Sequence, residues 1–197
     1  MYHYAGNNPV RYVDPDGRDI VLLLDTDRGR ASWPILNLIP FGHSAALIGN
    51  DNDGWLYYSN DGPASTDVQW FDTKEKFFSS YKDNRGEPFN FEESGWVKTT
   101  PEQDAAMQSR AFELAGINQS EGFSAKITEE RFIITEQKKN SPYSFLFNNC
   151  SQHVGKIAAA GGLFSVGTLI PKLQTILTED EYLKYIQIEI QKSSLMR

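Results

Sequence analysis

The chain has 197 residues, 40% hydrophobic, 13% aromatic and 23% charged, the size and make-up of one globular domain with at most a short appendage. No apolar run approaches the roughly 18 to 20 residues of a membrane-spanning helix, and 26 acidic against 19 basic residues leave a net charge of −7, which argues against a surface that tracks nucleic-acid phosphates. A single cysteine excludes an intrachain disulfide and any zinc site built on several thiolates.

In chain order, residues 1–17 lack periodicity and are rich in turn formers, Gly6-Asn7-Asn8-Pro9 and Asp14-Pro15-Asp16-Gly17. They read as extended pieces between tight turns, without the basic start and apolar core of a signal peptide. Residues 20–24 (IVLLL) have the length and apolarity of a buried strand. Residues 25–40 read as a loop, punctuated by Pro34 and Pro40 and weighted by Trp33, Ile35, Leu36, Leu38 and Ile39, the make-up of a packed flap or lid. Residues 42–49 and 54–59 flank Asn50-Asp51-Asn52-Asp53-Gly54 and predict a β-hairpin. Residues 68–71 add a strand, 73–81 suit a short helix, and 82–95 read as a polar loop. A strand over 96–99 leads into a helix with Thr100 as N-cap, Pro101 at the first position, Gln103 completing a capping box and Gly116 at the far end. Residues 124–134 are mixed, with Phe132-Ile133-Ile134 strand-like. A further helix runs from Cys150 to Ala160 before Gly161-Gly162, and 171–177 offer another short one. Thr178 and Glu181 form a capping box, while Ile186, Ile188 and Ile190 alternate with Gln187 and Glu189, so the last segment reads as a helix switching to a terminal strand.

Three histidines and one cysteine make the search for chemistry short. Cys150 stands at a predicted helix start, where the free amides of the first turn favour the thiolate. His43 opens the first strand of the hairpin, and an imidazole brought near the thiol would form an ion pair with it and then serve as general acid. The bland alternatives are a buried small hydrophobe for Cys150 and a structural ring for His43. His153 falls one turn after Cys150, within reach of the thiol or packed beneath it. Cys150, His153 and His43 make a poor metal set, so no metal or other cofactor is expected. Glu129, Glu130, Asp180 and Glu181 read as caps and solvated faces, and Gly161-Gly162 follows a helix where a phosphate loop would precede one.

Two resemblances extend this reading. YAGNNPVRYVDPDG closely resembles the closing motif of the Rhs/YD-repeat core, Y-x-x-N-N-P-x-x-Y-x-D-P-x-G, after which that family carries a variable C-terminal toxin domain. The resemblance implies a junction over 1–17 and a cargo domain over 18–197, secreted or delivered into a target cell as part of a larger Rhs protein, with the rest of the Rhs shell and a cognate immunity protein as partners. Gly42-His43-Ser44-Ala45 opening a strand, and Tyr143 through Asn148-Asn149-Cys150-Ser151-Gln152 opening a helix, look like the circularly permuted papain-like hydrolases. These include NlpC-type cell-wall peptidases and lecithin:retinol acyltransferase-like enzymes, in which histidine precedes cysteine.

That resemblance implies an α+β, papain-like, circularly permuted fold, its antiparallel sheet packed on the helix that carries the cysteine. It makes Cys150 the nucleophile and His43 its base. Facing positions of the hairpin sum to 103 or 104, which brings Asn60 first, and Asp61 or Ser59 in reserve, to the imidazole's second nitrogen. The Cys150 amide, with Asn149 or Asn148, would stabilise an oxyanion; equally, Asn148 would cap the helix. The expected activity is a cysteine hydrolase, a peptidase or amidase acting through a thioester on protein, peptide or cell wall. Two alternatives stand beside it: a lipid-directed acyltransferase or phospholipase of the same fold, the only reading that calls for membrane contact, and a non-catalytic module of the Rhs shell.

Overall fold

A computed structural model describes residues 19–25, 42–61, 65–82, 91–128, 130–135, 149–166 and 174–195. The proposed junction over 1–17, the loop beyond Asp25 and Asn148 lie outside them.

The apolar run at the start forms β1 (Asp19–Asp25). The hairpin follows as β2 (His43–Asn50) and β3 (Gly54–Asn60), its turn held by the Asn50 carboxamide, whose oxygen accepts from the amides of Asn52 and Asp53 at 2.8 and 2.7 Å. Next come β4 (Ser65–Phe71), a short helix α1 (Lys74–Ser80) capped by Thr73, and β5 (Glu92–Lys98). The capping box at Thr100 and Gln103 opens α2 (Pro101–Ala115), and Gly116, left-handed at φ 76°, ends it. Residues 124–134 divide between α3 (Gln119–Thr128) and β6 (Arg131–Thr135). The chain closes with α4 (Cys150–Ala160), β7 (Phe164–Val166), β8 (Thr175–Leu177) and α5 (Glu179–Leu195).

Six strands form one antiparallel sheet in the order β5-β1-β2-β3-β4-β6, and β7 pairs with β8 in a second, small sheet. The molecule is therefore α+β with an antiparallel sheet. Side-chain alternation sorts the large sheet into two faces. Ile20, Leu22, Ala46, Ile48, Leu56, Tyr58, Val68 and Trp70 turn towards α2, α3 and α4, meeting Met107, Phe112, Ala125, Val154 and Ile157 in one core. Val21, Leu23, Ala45, Leu47, Trp55, Tyr57 and Phe71 turn the other way, to Phe77, Tyr81 and Phe91. Each fully buried aliphatic side chain, such as Leu56 or Ile48, is worth about 1.5–3 kcal/mol. Among the described residues no helix is long and apolar enough to cross a membrane.

Three predicted elements differ. Residues 92–95, expected at the end of a polar loop, belong to β5, because β1 offers an edge for them to pair with. Residues 175–177 are strand β8, not helix, because Phe164 to Val166 offer an edge to pair with. The terminal segment is helical throughout. The Thr178–Glu181 capping box nucleates it, with the Glu181 carboxylate accepting from the Thr178 amide at 2.9 Å, and among the described residues no strand lies beside Ile186 and Ile188 to reward extension. Both remain exposed, at 36% and 50%.

Candidate active site

Helix α4 begins on the helical side of the sheet, at the end where β2 starts. Its first turn is closed by a capping box at Asn149: the Asn149 side-chain oxygen accepts from the Gln152 amide at 3.0 Å, and the Gln152 side chain accepts from the Asn149 amide at 3.1 Å. Asn149 rather than Asn148 is thus the N-cap, and its carboxamide oxygen is committed to the helix. The Ser151 hydroxyl lies 3.1 Å from that of Ser44, and the Gln174 amide nitrogen donates to the Ser151 carbonyl at 2.7 Å. These bonds pin the turn that carries Cys150, which is only 6% exposed.

His43 is the first residue of β2, preceded by Gly42 in the left-handed region at φ 77°, a conformation a side chain would oppose. The ring lies on the sheet face away from α4, against Phe91 at 6.0 Å between centroids. At the strand end it lies close enough to the Cys150 thiol for each group to govern the other's proton. Its Nε2 sits 2.7 Å from Ser59 Oγ and 3.2 Å from Asp61 Oδ1, while the Ser59 hydroxyl donates to Asp61 at 2.5 Å. Ala45, opposite Ser59 in register, is small enough for the ring to lean across it. Asp25, buried on β1, is paired with His43 in register.

The hairpin register sums to 104, with Ala45 facing Ser59, which sets Asp61 across from His43. Asn60, the first choice for holding the imidazole, points to the helical face instead, where its oxygen accepts from the Thr66 hydroxyl at 3.3 Å. The correction is one of register: successive residues of a strand face opposite ways. His153 is fully buried on that same face, its Nδ1 sharing a 2.6 Å hydrogen bond with the Tyr58 hydroxyl and its ring stacked on Tyr58. Sequence reasoning held Ser59 only in reserve and missed Asp67 of β4, Arg131 of β6 and Tyr81 at the end of α1, which meet on the His43 face of the sheet and are joined by hydrogen bonds. Only the alternation of β4, with Asp67 opposite Ser59, could have found Asp67.

Two ionisable groups in contact set the electrostatics. Burial alone would push the Cys150 thiol up, but the charge and hydrogen bond of His43, with backbone amides of Ser44 and Ser151 on the sulfur, bring it below the ordinary thiol range. Burial alone would lower His43, yet the facing thiolate and the Asp61 carboxylate raise it well above the usual imidazole value. Both directions describe a thiolate–imidazolium pair.

No protein-family model, curated protein or solved structure matches the chain. Among the described residues no group of three or more His, Cys, Asp or Glu side chains is placed to hold a metal ion. What the arrangement offers is a desolvated nucleophile, a proton donor beside it and carboxylate support behind the donor.

Proposed function

We propose that the chain is a cysteine-dependent hydrolase of amides, of papain-like, circularly permuted build. The observation that carries this reading is the contact between Cys150, at a capped helix start, and His43, whose Nε2 is held by Ser59 and Asp61. With Nε2 so engaged, Nδ1 is the nitrogen left for the sulfur. The thiolate adds to the substrate carbonyl, forming a carbon–sulfur bond while the carbonyl electron pair moves to oxygen. The Cys150 amide, at the first turn of the helix, would donate to that oxyanion. As the intermediate collapses, the imidazolium protonates the departing amine and the amide carbon–nitrogen bond breaks, leaving a thioester. Neutral imidazole then takes a proton from water, the hydroxide displaces the thiolate, and the acid product leaves with the ion pair restored.

The Rhs-like motif over 1–17 supports delivery of this domain as the toxin of a larger protein, with an immunity protein as natural antagonist. The deciding experiment expresses the chain and its Cys150→Ala variant in the bacterial cytoplasm and, separately, the periplasm, and follows growth and the release of amines from protein and cell-wall fractions. Toxicity and amine release in one compartment, both lost in Cys150→Ala, are expected. Equal toxicity of the two proteins refutes the reading, and fatty-acid release from lipid in place of amine release redirects it to a lipid acyl hydrolase.

A further inference from the structure

A second set of charges lies buried on the face that holds His43. Asp67 of β4 is fully buried and lies directly across from Ser59 in register, a placement that sets their side chains roughly 5 Å apart at Cβ. Arg131 of β6 grips it from the far side, Nε to Oδ1 at 2.9 Å and Nη2 to Oδ2 at 2.5 Å. The Tyr81 hydroxyl donates to Asp67 Oδ2 at 2.6 Å, and the Arg131 guanidinium lies 5.3 Å over the Tyr81 ring. Tyr57, fully buried, packs 4.5 Å from Tyr81, with its hydroxyl beside those of Tyr81 and Ser59. Burial pushes the Asp67 carboxyl up, and Arg131 and Tyr81 pull it back. Apolar residues of similar volume would serve the sheet at least as well as such a buried ion pair, and Leu47, Phe71 and Phe77 on the same side already form an apolar cluster.

We propose that Ser59, Asp67 and Arg131 form a positioning network for the Cys150–His43 centre: Ser59 holds the imidazole against Asp61, Asp67, across from Ser59 on the neighbouring strand, sets the charge behind it, and Arg131 cancels the charge that Asp67 brings. None of the three touches substrate; each acts through His43. The proposal rests on the cysteine-hydrolase reading. The charged and titratable groups facing His43 are Asp25 of β1, Asp61 beyond β3, Asp67 with Arg131 of β4 and β6, Tyr57 and Tyr81 on the same face, and Cys150 of α4. A balanced pair leaves the imidazolium feeling mainly Asp61 and the thiolate. An unbalanced Arg131 opposes it.

The test is a histidine NMR titration of the full chain, following the pH at which His43 gives up its proton. Ser59→Ala should lower that pH by about one unit, a tenfold change in proton affinity, and Ser59→Thr, which keeps the hydroxyl, should restore it. Asp67→Asn leaves Arg131 uncompensated and should lower it by a similar amount, while Asp67→Asn with Arg131→Gln, neutral again, should return it towards the wild-type value. A merely structural pair would change stability and leave the His43 titration at its wild-type pH in the single and the double variant alike. The proposal is overturned if Ser59→Ala leaves His43 unmoved, if Ser59→Thr fails to restore it, or if the double variant is no better than Asp67→Asn. Where Asp67→Asn does not fold, Arg131→Gln, which leaves the Asp67 charge uncompensated, should raise the His43 titration pH instead, and an unmoved His43 there overturns the proposal. A wild-type His43 titrating near 6.5, beside a Cys150 thiol of ordinary reactivity, would instead sink the hydrolase reading itself, an outcome separate from any of these.

Discussion

Replacing His43 by Gln removes the imidazolium and keeps a side chain of similar reach. Burial pushes the Cys150 thiol up, and the thiolate–imidazolium attraction is the largest influence that brings it below the ordinary thiol range. Two opposite unit charges about 3.5 Å apart interact by roughly 5 kcal/mol at an effective dielectric constant of about 20. At about 1.36 kcal/mol per pH unit, their loss moves the alkylation midpoint of Cys150 upward by on the order of three units. The amides of Ser44 and Ser151 remain on the sulfur, and the helix start still contributes roughly 0.5–1 kcal/mol, but burial now opposes the thiolate unanswered. The midpoint should therefore cross from below the free-thiol value of about 8.5 to above it. The assay is the rate of alkylation by iodoacetamide as a function of pH, with Cys150 the single reactive thiol. The midpoint, not the absolute rate, is diagnostic, because a thiolate of higher proton affinity is also the better nucleophile, with a Brønsted slope of about 0.4–0.5. Superimposable profiles for wild type and His43→Gln would refute the ion pair.

Three further outcomes follow from the geometry. Asn149→Asp should leave the melting temperature within a few degrees, since aspartate caps helices as well as asparagine, while the new carboxylate beside the sulfur raises the Cys150 alkylation midpoint by about one pH unit; an unchanged midpoint would place residue 149 away from the thiol. Gly49 has φ 141°, and a Cβ there would meet the Gly54 carbonyl oxygen at 2.2 Å, so Gly49→Ala should cost well over 2 kcal/mol in urea unfolding, and a wild-type midpoint would contradict the hairpin geometry. Ending the chain after Thr178 removes α5, which packs mainly on β8 and stacks Tyr182 on Phe164 at 4.5 Å; near-ultraviolet circular dichroism of the core should survive, and loss of cooperative unfolding would show that α5 is part of it.

Much of this architecture is written in local chemistry. Thr100 with Gln103, Thr178 with Glu181 and the Asn50–Gly54 turn act within a few residues, so their helices and hairpin are legible without tertiary contacts. The position of Cys150 at a helix start is legible for the same reason. Asn60 and Asp61 are not separable by that route, since a register of 103 or 104 is a difference of one residue and one residue exchanges the two faces of a strand. The alternating isoleucines of α5 mislead because period two predicts a strand only where a neighbouring edge exists to pair with. The Asp67–Arg131 contact spans 64 positions, and nothing in either residue's neighbourhood marks it.

The sheet divides the labour of the site. On the helical face, Ser44 bonds to Ser151 and Tyr58 to His153, anchoring α4 so that its first turn overhangs the start of β2. On the opposite face, Ser59, Asp61 and Asp67 stand behind the imidazole. Thiol and ring come from different layers and meet only where β2 begins and β3 ends, past the last rung of the ladder, so neither layer alone contains the chemistry. A slip of β3 by one residue would carry Ser59 and Asp61 to the helical face and bring Tyr58 and Asn60 behind the ring. The same slip would pull Leu56 and Tyr58 out of the larger core. The packing that makes the fold stable therefore also enforces the register that sets Ser59, on the strand, and Asp61, just past its end, behind the His43 ring.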